Sequence, residues 1–147
     1  MVSQPSATAS AMPNPGTYYI VNRVLSPAGQ KLALTFKGER NTGTVTVTPL
    51  TKTSNQAWCI RNFYDGHTQS VSPASKSHLE IGMGPGIIRV LPPGNYVWTL
   101  RNTPSGLTIQ DGGVTVFWGL SDANVEQNVA FGDEDERANQ RWILIPV

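Results

Sequence analysis

Few side chains in this sequence have the types and spacing that chemistry needs. The two histidines, His67 and His78, fall in polar, turn-rich stretches. A nucleophile–base pair needs partners within hydrogen-bond reach and a third group to orient the base. There is no Gly-x-Ser-x-Gly elbow. Cys59 follows Trp58 in a strand-like stretch and is expected as a core or half-buried thiol. Gly82-Met-Gly-Pro-Gly86 has the glycine content of a phosphate loop. Such loops work through the helix N-terminus behind them, whereas residues 87–91 read as a strand, so a tight turn is predicted. Asp133-Glu-Asp-Glu136 carries charge for a hard cation but lacks the alternation and glycine of a calcium loop. It reads as a solvated hairpin tip. No catalytic residue, metal or cofactor is expected.

Recognition finds better material in Leu91-Pro-Pro-Gly-Asn-Tyr-Val-Trp98. Two prolines restrict the turn, and an amide, a phenol ring and an indole follow within a few residues. Sugars present apolar C–H faces and hydroxyl edges, which aromatic platforms and amide hydrogen bonds complement. The alternative is that Tyr96 and Trp98 are core residues of a repeated unit.

The elements that would position this segment are strands. Fourteen glycines and eleven prolines punctuate short runs rich in Val, Ile, Thr, Tyr and Trp, and sustained helical periodicity is lacking. Twelve strands are predicted, at residues 18–23, 31–36, 44–48, 57–63, 69–72, 78–82, 87–91, 96–102, 107–110, 114–120, 126–131 and 141–147. In Thr44-Val-Thr-Val-Thr48 the valines face one way and the threonines the other.

An internal repeat organises them. Tyr18, Trp58, Trp98 and Trp142 each open a similar segment, spaced by 40, 40 and 44 positions. Asn55-Gln-Ala-Trp58 and Asn139-Gln-Arg-Trp142 share a local setting that Asn95-Tyr-Val-Trp98 keeps in part. Such periods mark supersecondary units that bury their apolar faces only together. A propeller typically needs at least four blades. Three units of four strands predict an all-β fold with pseudo-threefold symmetry, the β-trefoil, in which closure removes exposed sheet edges.

The 147 residues suit one domain. The stretch 1–15, rich in Ser, Ala, Thr and Pro, is expected as a flexible tail before a domain over 16–147. With 14% charged residues, a net charge of +1 and no basic run, nucleic acid is not an expected partner. No apolar run approaches a membrane span. One cysteine makes no internal disulfide and the start lacks a signal-peptide pattern, so a cytoplasmic location is expected.

The motif Gln-x-Trp, at Gln56-Ala-Trp58 and Gln140-Arg-Trp142, resembles the signature of ricin B-like β-trefoils. The chain is most similar to small fruiting-body lectins of basidiomycetes that recognise α1,3-fucosylated chitobiose in N-glycan cores. The matching stretches are Tyr19-Ile-Val-Asn-Arg-Val-Leu-Ser-Pro27, Lys31-Leu-Ala-Leu34 and Val45-Thr-Val-Thr-Pro-Leu50, then Val90-Leu-Pro-Pro93, Asn95-Tyr-Val-Trp-Thr-Leu100 and Ile109-Gln-Asp-Gly112. The resemblance implies a glycan site in the second repeat made by Leu91, Asn95, Tyr96, Val97 and Trp98, with Tyr64 completing its wall. Where the family has Ile-Gly-Trp-Gly, this chain has Ile81-Gly-Met-Gly84, so Met83 replaces a platform tryptophan. A thioether covers apolar sugar surface but brings neither a flat π-face nor an N–H. Asp111 and Trp118 are similar to the acid-plus-aromatic pair of ricin-type pockets.

The function so implied is a non-enzymatic lectin for N-glycan cores containing fucose and N-acetylglucosamine, acting in fungal defence against fungivores. A homodimer would add multivalency, and the sequence leaves oligomeric state open. One rival is a β-trefoil protease inhibitor using Lys37-Gly-Glu-Arg-Asn41 or residues 65–76, neither of which carries an inhibitory motif. Another is an interaction module without a sugar site.

Overall fold

A computed structural model of the chain describes residues 11–39, 41–133 and 137–147. Twelve strands are present: β1 (Gly16–Asn22), β2 (Leu32–Glu39), β3 (Thr42–Pro49), β4 (Ala57–Asn62), β5 (Gln69–Pro73), β6 (Glu80–Met83), β7 (Ile88–Leu91), β8 (Trp98–Thr103), β9 (Gly106–Asp111), β10 (Phe117–Gly119), β11 (Ala130–Gly132) and β12 (Trp142–Pro146). Each overlaps one predicted strand.

Six of them close a barrel through antiparallel pairs β1–β4, β4–β5, β5–β8, β8–β9, β9–β12 and β12–β1. The other six form hairpins β2–β3, β6–β7 and β10–β11. These meet one another through β3–β7 pairing and the bridges Thr46↔Asn128 and Ile87↔Ala130. The fold is a β-trefoil.

The repeated tryptophans are its pins. Trp58, Trp98 and Trp142 are 0–2% exposed. Each indole Nε1–H donates to a backbone carbonyl in its own repeat's hairpin: Trp58 to Leu34 (2.9 Å), Trp98 to Ile81 (2.9 Å) and Trp142 to Trp118 (3.1 Å). A buried N–H without a partner would cost about 1–3 kcal/mol, so these bonds fix where each hairpin docks on the barrel. Around them pack Ile20, Leu34, Val47, Ile60, Ile81 and Leu100, among others. The alternation of β3 holds: Val45 and Val47 lie in the core, and the threonines take the other face.

Four expectations need correction. The strand expected at 78–82 starts only at Glu80, because Leu79 N–H bonds back to Lys76 in a turn. The strand expected at 114–120 shrinks to β10, because the Asp111 carboxylate gathers Thr115 N–H and Val116 N–H and Val114 takes a left-handed φ of 57°. The strand expected at 126–131 begins at Ala130, with Glu126 also left-handed at φ 69°. The stretch expected as tail is tied down at its end. Asn102 N–H donates to Ala11 O (2.8 Å), Gln69 Nε2–H to Pro13 O (2.9 Å) and the Tyr18 hydroxyl to Asn14 O (2.7 Å). Residues 1–10 lie outside the described residues, as do residues 134–136 of the acidic run.

Candidate functional site

The strongest recognition segment of the sequence is the connection from β7 to β8. Its register partner is the start of β6: Glu80 faces Leu91, Ile81 faces Val90, Gly82 faces Arg89 and Met83 faces Ile88. Directly opposed residues share a face, so the hairpin has two sides. Ile81, Ile88 and Val90 are buried on the inner side. Glu80, Gly82, Arg89 and Leu91 occupy the outer one.

That outer side is a shelf floored by glycine. A methyl group at Gly82 would lie 2.8 Å from Leu91 Cδ1 and 3.0 Å from Tyr96 Cγ and Cδ2, and one at Gly94 would lie 2.9 Å from Tyr96 Cε2. The Tyr96 ring therefore lies across both glycines beside Leu91, in space that any side chain would fill. It is half-buried, leaving surface to a ligand.

One carboxylate sets the loop. Glu80 Oε1 accepts hydrogen bonds from Gly94 N–H (3.0 Å) and Tyr96 N–H (3.1 Å). Between these two amides Asn95 is exposed and left-handed, with φ 57°. Asparagine is among the few non-glycine residues that tolerate this region, and the grip of Glu80 on both flanking amides holds it there. The strand expected at 96–102 accordingly begins two residues late, at Trp98. Sequence reasoning missed Glu80. Its only signal was a carboxylate placed by hairpin pairing opposite the residue that opens the Pro-Pro turn.

The remaining expected contacts divide. Val97 is half-buried, with Cγ2 where a methyl at Gly112 would meet it at 3.5 Å. Met83, 51% exposed, follows Ile81 by alternation to the inner side and emerges at the hairpin's end. Tyr64 sits in the β4–β5 turn, 89% exposed and stacked on Phe63 at 4.1 Å. Trp98 needs a correction. Its ring is 2% exposed, meets Trp118 edge-on at 4.9 Å and Phe131 at 6.1 Å, and belongs to the core. Its backbone pairs with Gln69 and Asp111 in the barrel. Asp111 and Trp118 form no pocket pair either: Trp118 is fully buried and the Asp111 carboxylate is engaged by its own turn. Cys59 is half-buried, with Sγ 3.7 Å from Thr17 Oγ1.

The third repeat holds a concavity of about 270 Å³ lined by Gly119, Leu120, Phe131, Asn139 and Gln140, among others. It opens where Gly119 follows the Trp142 acceptor Trp118, the place that Thr35 fills after Leu34 in the first repeat.

Compared with known proteins, residues 16–142 match the family model described as CCL2 lectin-like. The chain belongs to the CCL2-like lectin family. A search of curated protein sequences found no match. Among solved structures, a mosquitocidal holotoxin superposes with a TM-score of 0.80 at 15% identity, over 92% of this chain but 18% of its own. The ricin B-like lectin of Macrolepiota procera, solved with lactose, gives 0.73 at 18% identity, covering 93% and 99% of the two chains. A proteinase inhibitor from Coprinopsis cinerea gives 0.72 at 17% identity, covering 92% and 99%. These likenesses establish the β-trefoil. The family match covers residues 16–142, all three repeats included.

Proposed function

We propose that this chain is a carbohydrate-binding protein without enzymatic activity that recognises N-glycan cores containing fucose and N-acetylglucosamine. The site is the outer shelf of the second-repeat hairpin. The observation that carries this reading is the half-buried Tyr96 ring on a glycine floor, beside an exposed Asn95 locked between two clamped amides. An aromatic face with a preset amide suits the C–H face and acetamido or hydroxyl edge of a sugar. Leu91 and Val97 extend the apolar surface, and the exposed side chains of Met83 and Tyr64 are included as further contacts on the family resemblance alone. A shallow site immobilises few ligand atoms, so affinity per site is modest and a homodimer would raise it through multivalency. The role fitting this activity is fungal defence against animals that feed on the producer, with the protein held in the cytoplasm, where a lone thiol such as Cys59 stays reduced.

The test is a glycan array probed with the wild type and Tyr96→Ala, with melting curves as the fold control. Binding to fucosylated N-acetylglucosamine structures that is lost in a folded Tyr96→Ala supports the reading, and silence of the wild type across the array ends it.

The inhibitor reading draws on the shared fold of the Coprinopsis cinerea protein. Its loops offer it less. Lys37, Gly38 and Glu39 pair with β3, and the Lys37 ammonium is bound by the Glu126 carboxylate. Most of residues 65–76 is strand β5 and the turn Ala74–Lys76.

A further inference from the structure

Arg89 lies on the same outer face as Tyr96, and its stem is fixed. A methyl at Gly84 would meet Arg89 Cδ at 2.7 Å and Cγ at 2.9 Å, so the aliphatic chain runs over Gly84 as the Tyr96 ring runs over Gly82. Strand pairing sets Lys37, Thr44, Arg89 and Gly82 in one row across four strands. The row carries two cations with different fates. Lys37 is neutralised by Glu126. Among the described residues Arg89 makes no hydrogen bond and no ion pair. The carboxylate nearest in the register, that of Glu80, directs Oε1 to Gly94 and Tyr96 instead.

A guanidinium is always charged, carries five N–H donors in a rigid fork and matches planar anions in a bidentate manner. Here the fork is held by a packed stem, half-buried on the face of the proposed sugar platform, with no partner among the described residues. Resting on the reading of this face as a glycan site, we propose that Arg89 is a specificity-determining residue. It selects glycans that bear an anionic substituent, a carboxylate or a sulfate ester, next to the residue stacked on Tyr96. The inference concerns one chemistry, a planar or tetrahedral oxyanion, and both sources of it are tested.

The experiment measures calorimetric affinities of three probes: fucosylated chitobiose, the same glycan carrying a 6-O-sulfate, and a sialylated N-acetylglucosamine oligosaccharide. Each is titrated into the wild type, Arg89→Met, which keeps an apolar stem over Gly84, and Arg89→Lys. The wild type is expected to favour at least one anionic probe over the neutral one by roughly 5- to 20-fold. That preference should shrink as salt is raised, fall to about one in Arg89→Met and be partly restored in Arg89→Lys. The sulfated and sialylated arms show which oxyanion is taken. Neutral and anionic probes binding alike to the wild type would overturn the role of Arg89 while leaving the glycan site standing. Equal losses for all probes in Arg89→Met would do the same, reducing Arg89 to packing. No binding of any probe would remove the glycan site and this inference together.

Discussion

Gln56 and Tyr96 occupy the same place in successive repeats, each two residues before a buried tryptophan, and they serve opposite ends. Gln56 is 1% exposed and bonded at both ends of its amide. Oε1 accepts from Thr51 N–H and Lys52 N–H, while Nε2 donates to Thr48 Oγ1 and Pro49 O. Tyr96 instead turns its ring outward over Gly82 and Gly94. The motif that locks the first repeat shut is, in the second, rebuilt as a surface.

Gln56→Ala should therefore destabilise the fold by about 2–3 kcal/mol, because it strands several buried partners at once. Urea denaturation should show a lower midpoint, with glycan binding of the folded fraction unchanged. A loss under about 0.5 kcal/mol would mean that water replaces the amide without cost.

Glu80→Ala should lower glycan affinity at least fivefold while the melting temperature moves only a few degrees. Glu80→Gln, which keeps an acceptor oxygen, should retain most of the affinity. Amide chemical shifts of Gly94 and Tyr96 report the clamp directly. If they do not move in Glu80→Ala, Glu80 does not hold the loop.

Gly94→Ala should displace the Tyr96 ring, since its new methyl would stand 2.9 Å from Cε2. Binding should fall about tenfold or more, and a crystal structure of the variant should show the ring tilted away from Gly82. An undisturbed ring with full affinity would contradict the glycine floor.

Trp98→Ala tests the core rather than the site. Removing a fully buried indole typically costs about 3–5 kcal/mol, so this variant should lose cooperative unfolding or melt far below the wild type. Tyr96→Ala should melt close to it. A thermally intact Trp98→Ala would overturn the placement of this ring.

Acid should act through two turn carboxylates. The Thr68 hydroxyl and the amides of His67 and Thr68 hold Asp65 below its ordinary value of 3.8. Burial pushes Asp111 up, but bonds from Val116 and Thr115 outweigh it and leave it lowered as well. A carboxyl lowered in the folded state contributes stability that is complete above 3.8 and is lost as pH falls through the folded value. Stability should thus decline below about pH 4, and less steeply in Asp111→Asn. Identical acid profiles would exclude Asp111 as a contributor.

Much of this architecture was legible beforehand because it is periodic. Alternation along β3 and the 40-residue return of Tyr18, Trp58 and Trp98 are properties of the chain read in order, and they bring the barrel and its three hairpins with them. What escaped depends on side chains meeting across elements. Glu80 and Gly94 lie fourteen positions apart and meet only because β6 pairs with β7. Trp98 is read as platform on the resemblance, though an indole serves equally as a pin, and its burial together with its bond to Ile81 O decides for the pin. Residues 11–15 looked like a tail by composition, yet Pro13 offers its carbonyl to the buried Gln69. Composition reports what a segment cannot bury by itself, not what its backbone can satisfy in others.

The four tryptophans, all 0–2% exposed, also decide what light can report. Because every indole is sealed inside, ultraviolet emission from this protein is chiefly a gauge of whether the barrel is closed, and a sugar arriving on its surface touches no indole ring. A titration followed by tryptophan fluorescence is expected to change little even for a tight binder. The ring that would register the arrival is the phenol of Tyr96, whose proton resonances, and not its glow, are the signal to follow.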